Sequence, residues 1–288
     1  MTKITAQLVN ELRKRTGAGL MDCKRALEEF EGDLEKAAEH LRIKGIAAAD
    51  KKAGRATKEG KVKGKVSPDG SKAALVMLAC ETDFVSRNEQ FVELADKVVD
   101  YLLENGEVDS ENLPAELVEL IKEHIAKFGE NIVFAGSAYY EKSGDQSLFT
   151  VYEHLGGRIG VLLEAVLSDP SKADDPAVAQ ALKDLAMQIA AAMPKEPVAV
   201  SRDDLPEELV EKEKEVLRAQ AEETGKPPEI VEKIVMGRLN KFFSEVVLLE
   251  QPYIREDKKK VGKFLEEVEN KTGVKITPLR FARLEVGS

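Results

Sequence analysis

The apolar run Ala73-Ala74-Leu75-Val76-Met77-Leu78-Ala79 constrains the fold more than any other stretch of this chain. It is too short for a core helix, and the turn formers Ser67-Pro68-Asp69-Gly70 precede it. It therefore predicts a strand, Ser71 to Cys80, paired across that turn with Lys61 to Val66. The strand runs into a polar corner, Glu81-Thr82-Asp83-Phe84-Val85, and then into a capping-box pattern, Ser86-x-x-Glu89. Phe91, Leu94, Ala95, Val98 and Leu102 follow on one helical face, which predicts a helix from Arg87 to Glu104.

The corner admits two readings. Aromatic residues are usually buried and Asp is a common turn former, so Phe84 can be core and Asp83 part of a turn. Alternatively, the pair points outward. The staple position opposite Val85 is the polar Gln90, so the local helix makes no demand on Phe84.

Other segments read as mixed helix and strand. Thr5 caps a helix bearing Leu8, Val9 and Leu12 that ends at Thr16-Gly17-Ala18-Gly19; a second helix runs from Leu20 to Phe30, and a third follows Gly32-Asp33 and ends at Gly45. A basic connector, Lys44 to Lys65, carries eight lysines or arginines against Asp50 and Glu59, and reads as a solvated linker or as a surface for a partner or RNA. Pro114 to Phe128 is helical. Asn131 to Tyr140, Leu148 to Leu155 and Arg158 to Leu167 read as strands, and Pro176 to Met193 as a helix. The stretch from Gly70 to Leu78 and that from Gly157 to Leu163 begin a loosely repeated strand-strand-helix unit.

Leu205 to Ala221 and Pro228 to Phe243 form two amphipathic helices split by Thr224-Gly225-Lys226-Pro227-Pro228, an antiparallel hairpin about 24 Å long. Its apolar stripe can be satisfied by its own second helix, which leaves a homodimer through 205–243 open. The chain returns through Val246 to Leu249, a helix from Lys258 to Lys271 and a strand from Ile276 to Val286. The expected fold is α+β: an N-terminal three-helix bundle, a two-subdomain core with antiparallel strands, and a protruding helical hairpin. The divisions are 1–54 for the helical head with its basic linker, 55–145, 146–204 with 244–288, and 205–243.

Charge is unevenly distributed. Residues 1–80 carry 17 basic and 11 acidic side chains, whereas the whole chain of 288 residues has a net charge of −10, which leaves −16 on the rest. The acidic bulk argues against a broad phosphate-binding surface. Two cysteines, Cys23 and Cys80, give no metal spacing or disulfide framework and fit a reducing cytosol. No apolar run approaches the roughly 18 residues of a membrane span, and the N-terminus is an amphipathic helix rather than a signal sequence. A cytoplasmic protein is expected.

Enzymatic readings find no support in the motifs. His40, His124 and His154 are the only histidines, no Ser or Cys sits in a nucleophile elbow, and Thr16-Gly17-Ala18-Gly19 lacks the Gly-Lys-Ser/Thr of a phosphate loop. His124 reads as a helix-edge residue rather than a base. Binding is the expected mode of action, with no cofactor, no metal and no nucleotide site of its own.

The chain resembles the bacterial elongation factor Ts family, whose members exchange nucleotide on elongation factor Tu. The resemblance runs from Ile4 to about Val286. It is carried by Leu12-Arg13-Lys14-Arg15-Thr16-Gly17-Ala18-Gly19-Leu20-Met21-Asp22-Cys23-Lys24, by Thr82-Asp83-Phe84-Val85, by Phe128-Gly129-Glu130-Asn131-Ile132, by His154 to Leu162, and by Gln251-Pro252-Tyr253. It implies a ubiquitin-associated-like head that docks through Leu12, Leu20 and Met21, and an intruding segment Thr82, Asp83, Phe84 and Val85 that disturbs the partner's Mg²⁺ site. Phe128, Gly129 and His154 would add core contacts. Leu20 stands where relatives often have methionine, an ordinary apolar swap. The sequence ends at Ser288 without the further helical segment of some relatives, so contact from that end is not among the expectations. Two rival classes are an RNA-binding module using Lys44 to Lys65 and a ubiquitin-associated-like adaptor using the first 45 residues. In the first reading nucleic acid touches the chain directly; in the exchange reading, only through the partner, and no membrane is involved in either.

Overall fold

The structure, a computed structural model, describes residues 4–50 and 52–287; Lys51 of the expected basic connector and the terminal Ser288 lie outside the described residues. The head consists of α1 (Ala6–Thr16), α2 (Leu20–Glu29) and α3 (Leu34–Asp50). Thr5 caps α1 by accepting the Leu8 N–H at 3.2 Å, and Gly17 ends it in the left-handed region at φ 68°. Val9, Leu12, Cys23, Ala26, Leu27 and Ala37 close the small core of this bundle.

Two expectations about the head are corrected. The third helix does not stop at Gly45. It continues to Asp50 through the strong helix formers Ala47 to Ala49. Nor does a solvated linker hold the head apart, because α3 packs against α6 (Ala115–Phe128), where a Cβ built on Gly45 would come within 2.6 Å of the Ala126 Cβ. Arg42 pairs with Glu119 across this contact. Farther along the basic stretch, Lys63 and Lys65 lie in β1 (Glu59–Val66) and pair with Glu153 at 3.3 Å and Asp100 at 2.9 Å. Charges spent on internal ion pairs are not available to a nucleic-acid backbone, which weakens the RNA reading.

Among the described residues the core strands form two three-stranded antiparallel sheets. The first is β1-β2-β3, with β2 (Lys72–Cys80) in the middle and β3 (Ile132–Glu141) at its side. The second has β4 (Ser147–His154), β5 (Ile159–Leu167) and β8 (Ile276–Glu285), with β5 central. Each central strand is a near-continuous apolar run because both of its faces are covered. On one side of the first sheet, α5 (Glu89–Asn105) and α6 bury Phe91, Leu94, Val98, Leu117 and Ile121 against Val76 and Leu78. The second sheet receives α7 (Pro176–Ala191) and α10 (Val261–Thr272) in the same way. The remaining faces meet through Val62, Leu75, Leu162 and Val286, so closely that a Cβ on Gly160 would fall 2.3 Å from Val62 Cγ1.

The repeat goes deeper than the sequence comparison indicates. In the β2–β3 pairing the register skips Ala135, and in the β5–β8 pairing it skips Leu279. Each is the fourth residue of its strand, counted from Ile132 and Ile276. The two halves share a bulge as well as a strand order.

The hairpin, α8 (Glu207–Glu222) and α9 (Pro228–Val246), is inserted between α7 and α10. Leu217, Ala221, Val231, Val235 and Leu239 pack within it, while Ala199, Leu205, Val246 and Val247 seat its base. A short ribbon of β6 (Pro252–Tyr253) and β7 (Glu256–Lys260) takes the residues expected to open α10, which starts at Val261 instead.

The expected capping box at Ser86 is also corrected. A separate one-turn helix, α4 (Asp83–Ser86), follows β2 with Thr82 as its cap. Ser86 ends that turn and donates its hydroxyl to the Asp83 carbonyl at 3.1 Å, and α5 begins three residues later at Glu89, capped by Asn88.

Candidate functional site

The corner after β2 is built on a buried base. Val85 packs into the core cluster with Cys80 and Phe91, which drives one side of α4 inward. The opposite side is left in solvent: Phe84 is 84 % exposed, and the Asp83 carboxylate beside it pairs with Arg87 at 3.2 Å. The reading of Phe84 as a core aromatic is thereby excluded. A single exposed aromatic is common on protein surfaces; this one is set apart by its place beside a carboxylate on a turn whose other face is anchored in the core.

Thr82 and Val85 are not displayed in the same sense. Thr82 is half-buried, and its side chain accepts the Val85 N–H at 3.4 Å while donating to the Glu130 carboxylate at 2.6 Å. Beneath them the Cys80 thiol donates to the Thr82 carbonyl at 3.3 Å. Burial, reinforced by the charges of Glu130 and Glu59, pushes that thiol up to about 12, so it stays protonated and unreactive.

The end of α6 adjoins this corner. Phe128 is half-buried with its ring edge toward Phe91, centroids 6.3 Å apart, and Gly129 ends the helix at φ 76°. The next residue, Glu130, is the one that holds Thr82. On the other side, the aliphatic chain of Lys127 lies against Gly17 of the head. The turn Gly17-Ala18-Gly19 leads directly into Leu20 and Met21, which are 48 % and 61 % exposed on the first turn of α2. Head, α6 end and α4 are thus linked in series through Gly17, Lys127, Glu130 and Thr82.

Leu12 differs from its expected companions. It is fully buried in the bundle, in the cluster with Leu27 and Ala37, and is not exposed beside Leu20 and Met21. His154 sits at the end of β4, its Nδ1 2.9 Å from the Tyr152 hydroxyl. The route from its turn to α4 runs through Gly157, whose carbonyl accepts the Val62 N–H at 2.6 Å, and through Arg158, paired with Glu59 at 2.7 Å. Glu59 is the register partner of Cys80. Leu155, next to His154, is 66 % exposed at φ 50°, a conformation rarely taken by leucine.

Sequence reasoning missed the bracing of this corner by Glu130 and Glu81. Glu130 lay inside a quoted motif, but nothing local relates it to Thr82, 48 residues away. A cleft of 840 Å³ between the head and α6, lined among others by Arg15, His40, Arg42, His124 and Lys127, was equally invisible. Among the described residues there is no cluster of His, Cys, Asp and Glu suited to a metal ion, and no helix is long and apolar enough to cross a membrane. The arrangement offers a carboxylate and an aromatic ring on a braced turn, linked through the end of α6 to an apolar pair on the head.

Comparisons with known proteins find one family along this chain. The family model described as elongation factor TS matches residues 81–288. Elongation factor Ts from Desulfovibrio desulfuricans is 45 % identical over 288 residues, covering all of both chains. That of Aquifex aeolicus is 45 % identical, covering 99 % of this chain and 98 % of its own, and that of Clostridium perfringens is 47 % identical, covering 99 % and 93 %.

Proposed function

Because the chain belongs to the elongation factor Ts family of translation elongation factors, we propose that it is a non-enzymatic guanine-nucleotide exchange factor for elongation factor Tu. The observation that carries this reading is Phe84, 84 % exposed beside Asp83 on a turn whose other face is anchored in the core.

Exchange follows from linkage. A partner that binds the nucleotide-free form better than the loaded form weakens nucleotide binding by the same coupling free energy. Phe84 supplies such a difference if its ring enters a gap between helices that the loaded partner keeps closed. Burying one Phe side chain is worth ~1.5–3 kcal/mol, about one to two decades in an equilibrium constant. Asp83 brings a negative charge toward the Mg²⁺ shell that helps hold the phosphates. Its present partner Arg87 is exposed, and such pairs are worth ~0–1 kcal/mol, so exchanging it for a new contact costs little.

The other surfaces add affinity that does not discriminate between nucleotide states. Leu20 and Met21 form the head's apolar contact, Leu12 being buried in the bundle core, and Phe128, Gly129 and His154 contribute along the core. Nucleic acid meets this chain only through the partner. Val216, Ile230 and Met236 are exposed on the outside of the hairpin, so self-association through 205–243 is compatible with this reading and is read by sedimentation.

The test is release of fluorescent GDP from purified elongation factor Tu with and without the chain. Acceleration at substoichiometric amounts supports the proposal. An unchanged rate across a titration of the chain contradicts it.

A further inference from the structure

A helix of a single turn cannot fix its own direction, because its nucleation cost is not repaid by one hydrogen bond. For α4 this matters, since Phe84 has no packing of its own to orient it and depends on the backbone beneath. The cap of α4 has an unusual bond pattern. Glu130 accepts from two groups of one residue, the Thr82 N–H at 3.0 Å and the Thr82 hydroxyl at 2.6 Å. Both are charge-assisted bonds, the stronger kind. With its proton given to Glu130, the Thr82 hydroxyl presents its lone pairs to the Val85 N–H, which sets the first turn.

Glu130 is itself held on both sides. The left-handed Gly129 ends α6 immediately before it, and Ile132 pairs with Cys80 two residues after it. A reciprocal bond crosses the same junction: the Glu81 carboxylate accepts the Asn131 N–H at 2.7 Å, which holds that carboxyl below the usual range. Neighbouring residues on one segment thus grip neighbouring residues on the other. Asn131 also donates its amide to the Arg55 carbonyl at 2.9 Å, and Arg55 pairs with Glu81 at 3.3 Å, so the segment leading from the head is tied into the same junction.

We propose that Glu130 is a positioning residue of the exchange reaction: by clamping Thr82 it fixes the direction in which Asp83 and Phe84 project. The proposal rests on the exchange reading above. It predicts that loosening the clamp leaves the intruding side chains present but poorly aimed, which lowers the maximal rate of GDP release more than it lowers affinity for the partner.

The experiment measures release of fluorescent GDP from elongation factor Tu against concentration of full-length wild type, Glu130→Gln, Asp83→Ala/Phe84→Ala and the triple variant. Glu130→Gln should lower the maximal rate about tenfold, with the half-saturating concentration changed less than about twofold, and should add nothing in the Asp83→Ala/Phe84→Ala background. If Glu130→Gln does not fold, Thr82→Val removes the hydroxyl's bonds to Glu130 and to the Val85 N–H while leaving the Glu130 charge in place, and Thr82→Ser, which keeps those bonds, should restore the rate. A wild-type maximal rate in Glu130→Gln or Thr82→Val, or a further tenfold loss in the triple variant, overturns the positioning role. Failure of wild type to accelerate release would overturn the exchange reading itself, whereas acceleration lost in Asp83→Ala/Phe84→Ala but kept in Glu130→Gln overturns this inference alone.

Discussion

Gly17 lies so close to Lys127 that a Cβ on the glycine would come within 2.7 Å of the lysine Cγ. The contact joins the turn before Leu20 and Met21 to the end of α6, one residue before Phe128. Together with the approach of Gly45 to Ala126, it makes the head a docked element rather than a free one.

Substitution at Gly45 tests that docking. Leucine is the better helix former by ~0.8 kcal/mol, so Gly45→Leu should not unfold α3. It should instead push the bundle away from α6, because a Cβ at 45 has no room against Ala126. Small-angle scattering is expected to give a larger radius of gyration than wild type, with unchanged helical circular dichroism. An unchanged radius would contradict the packed arrangement.

The second sheet hides a charge that should be costly to unpair. Glu164 is fully buried on β5, where burial opposes its ionisation, but the Ser143 N–H at 2.6 Å, the Ser143 hydroxyl and Arg280 at 2.7 Å outweigh it and lower its pKa. Arg280 also donates to the Glu141 carbonyl and stacks over Tyr140, joining the second sheet to the first. Arg280→Met should therefore destabilise the core by ~3 kcal/mol, seen as a lower urea midpoint. A loss below ~1 kcal/mol, the level of an exposed pair, would contradict the account.

How much of this was legible in sequence depends on how local each determinant is. The strands β2 and β5 and the hairpin helices announce themselves through apolar runs and spacing, and their observed limits differ from the expected ones by a few residues. The cap of α4 did not, because Thr82, Ser86 and Asn88 are all good caps in sequence, Thr82 and Asn88 each start a helix, and the Glu130 carboxylate bonded to Thr82 lies 48 residues away. The exposure of Phe84 was equally undecidable, since an aromatic after a strand fits a core or a surface. Leu12 reads like Leu20 and Met21 in sequence, yet the periodicity of α1 turns it into the bundle. The extension of α3 beyond Gly45 needed knowledge of α6, because a glycine that elsewhere ends a helix serves here to admit a neighbour.

A histidine near the site gives a pH dependence of known sign. Burial lowers the pKa of His124 below its ordinary 6.5, and Lys127 and Lys97 add to this, against the Leu120 carbonyl bond and Glu123. The unfolded chain thus takes up the proton first as pH falls. The stability contributed by neutral His124 is complete above pH 6.5 and is lost as pH drops through the lowered value. Wild type should lose more in Tm between pH 7.5 and pH 5.5, two conditions on the order of one unit either side of an ordinary histidine, than His124→Gln does. Equal losses in the two proteins would contradict this assignment.

The central claim is that Asp83 and Phe84 act on a partner and not on the fold. It is tested most directly by the rate of fluorescent GDP release from elongation factor Tu with wild type and with Asp83→Ala/Phe84→Ala, each checked by thermal unfolding. The account predicts an unchanged Tm and a stimulated rate reduced by about one to two decades, the worth of one buried aromatic ring. Wild-type stimulation by the double variant, or a variant that fails to fold, would contradict it.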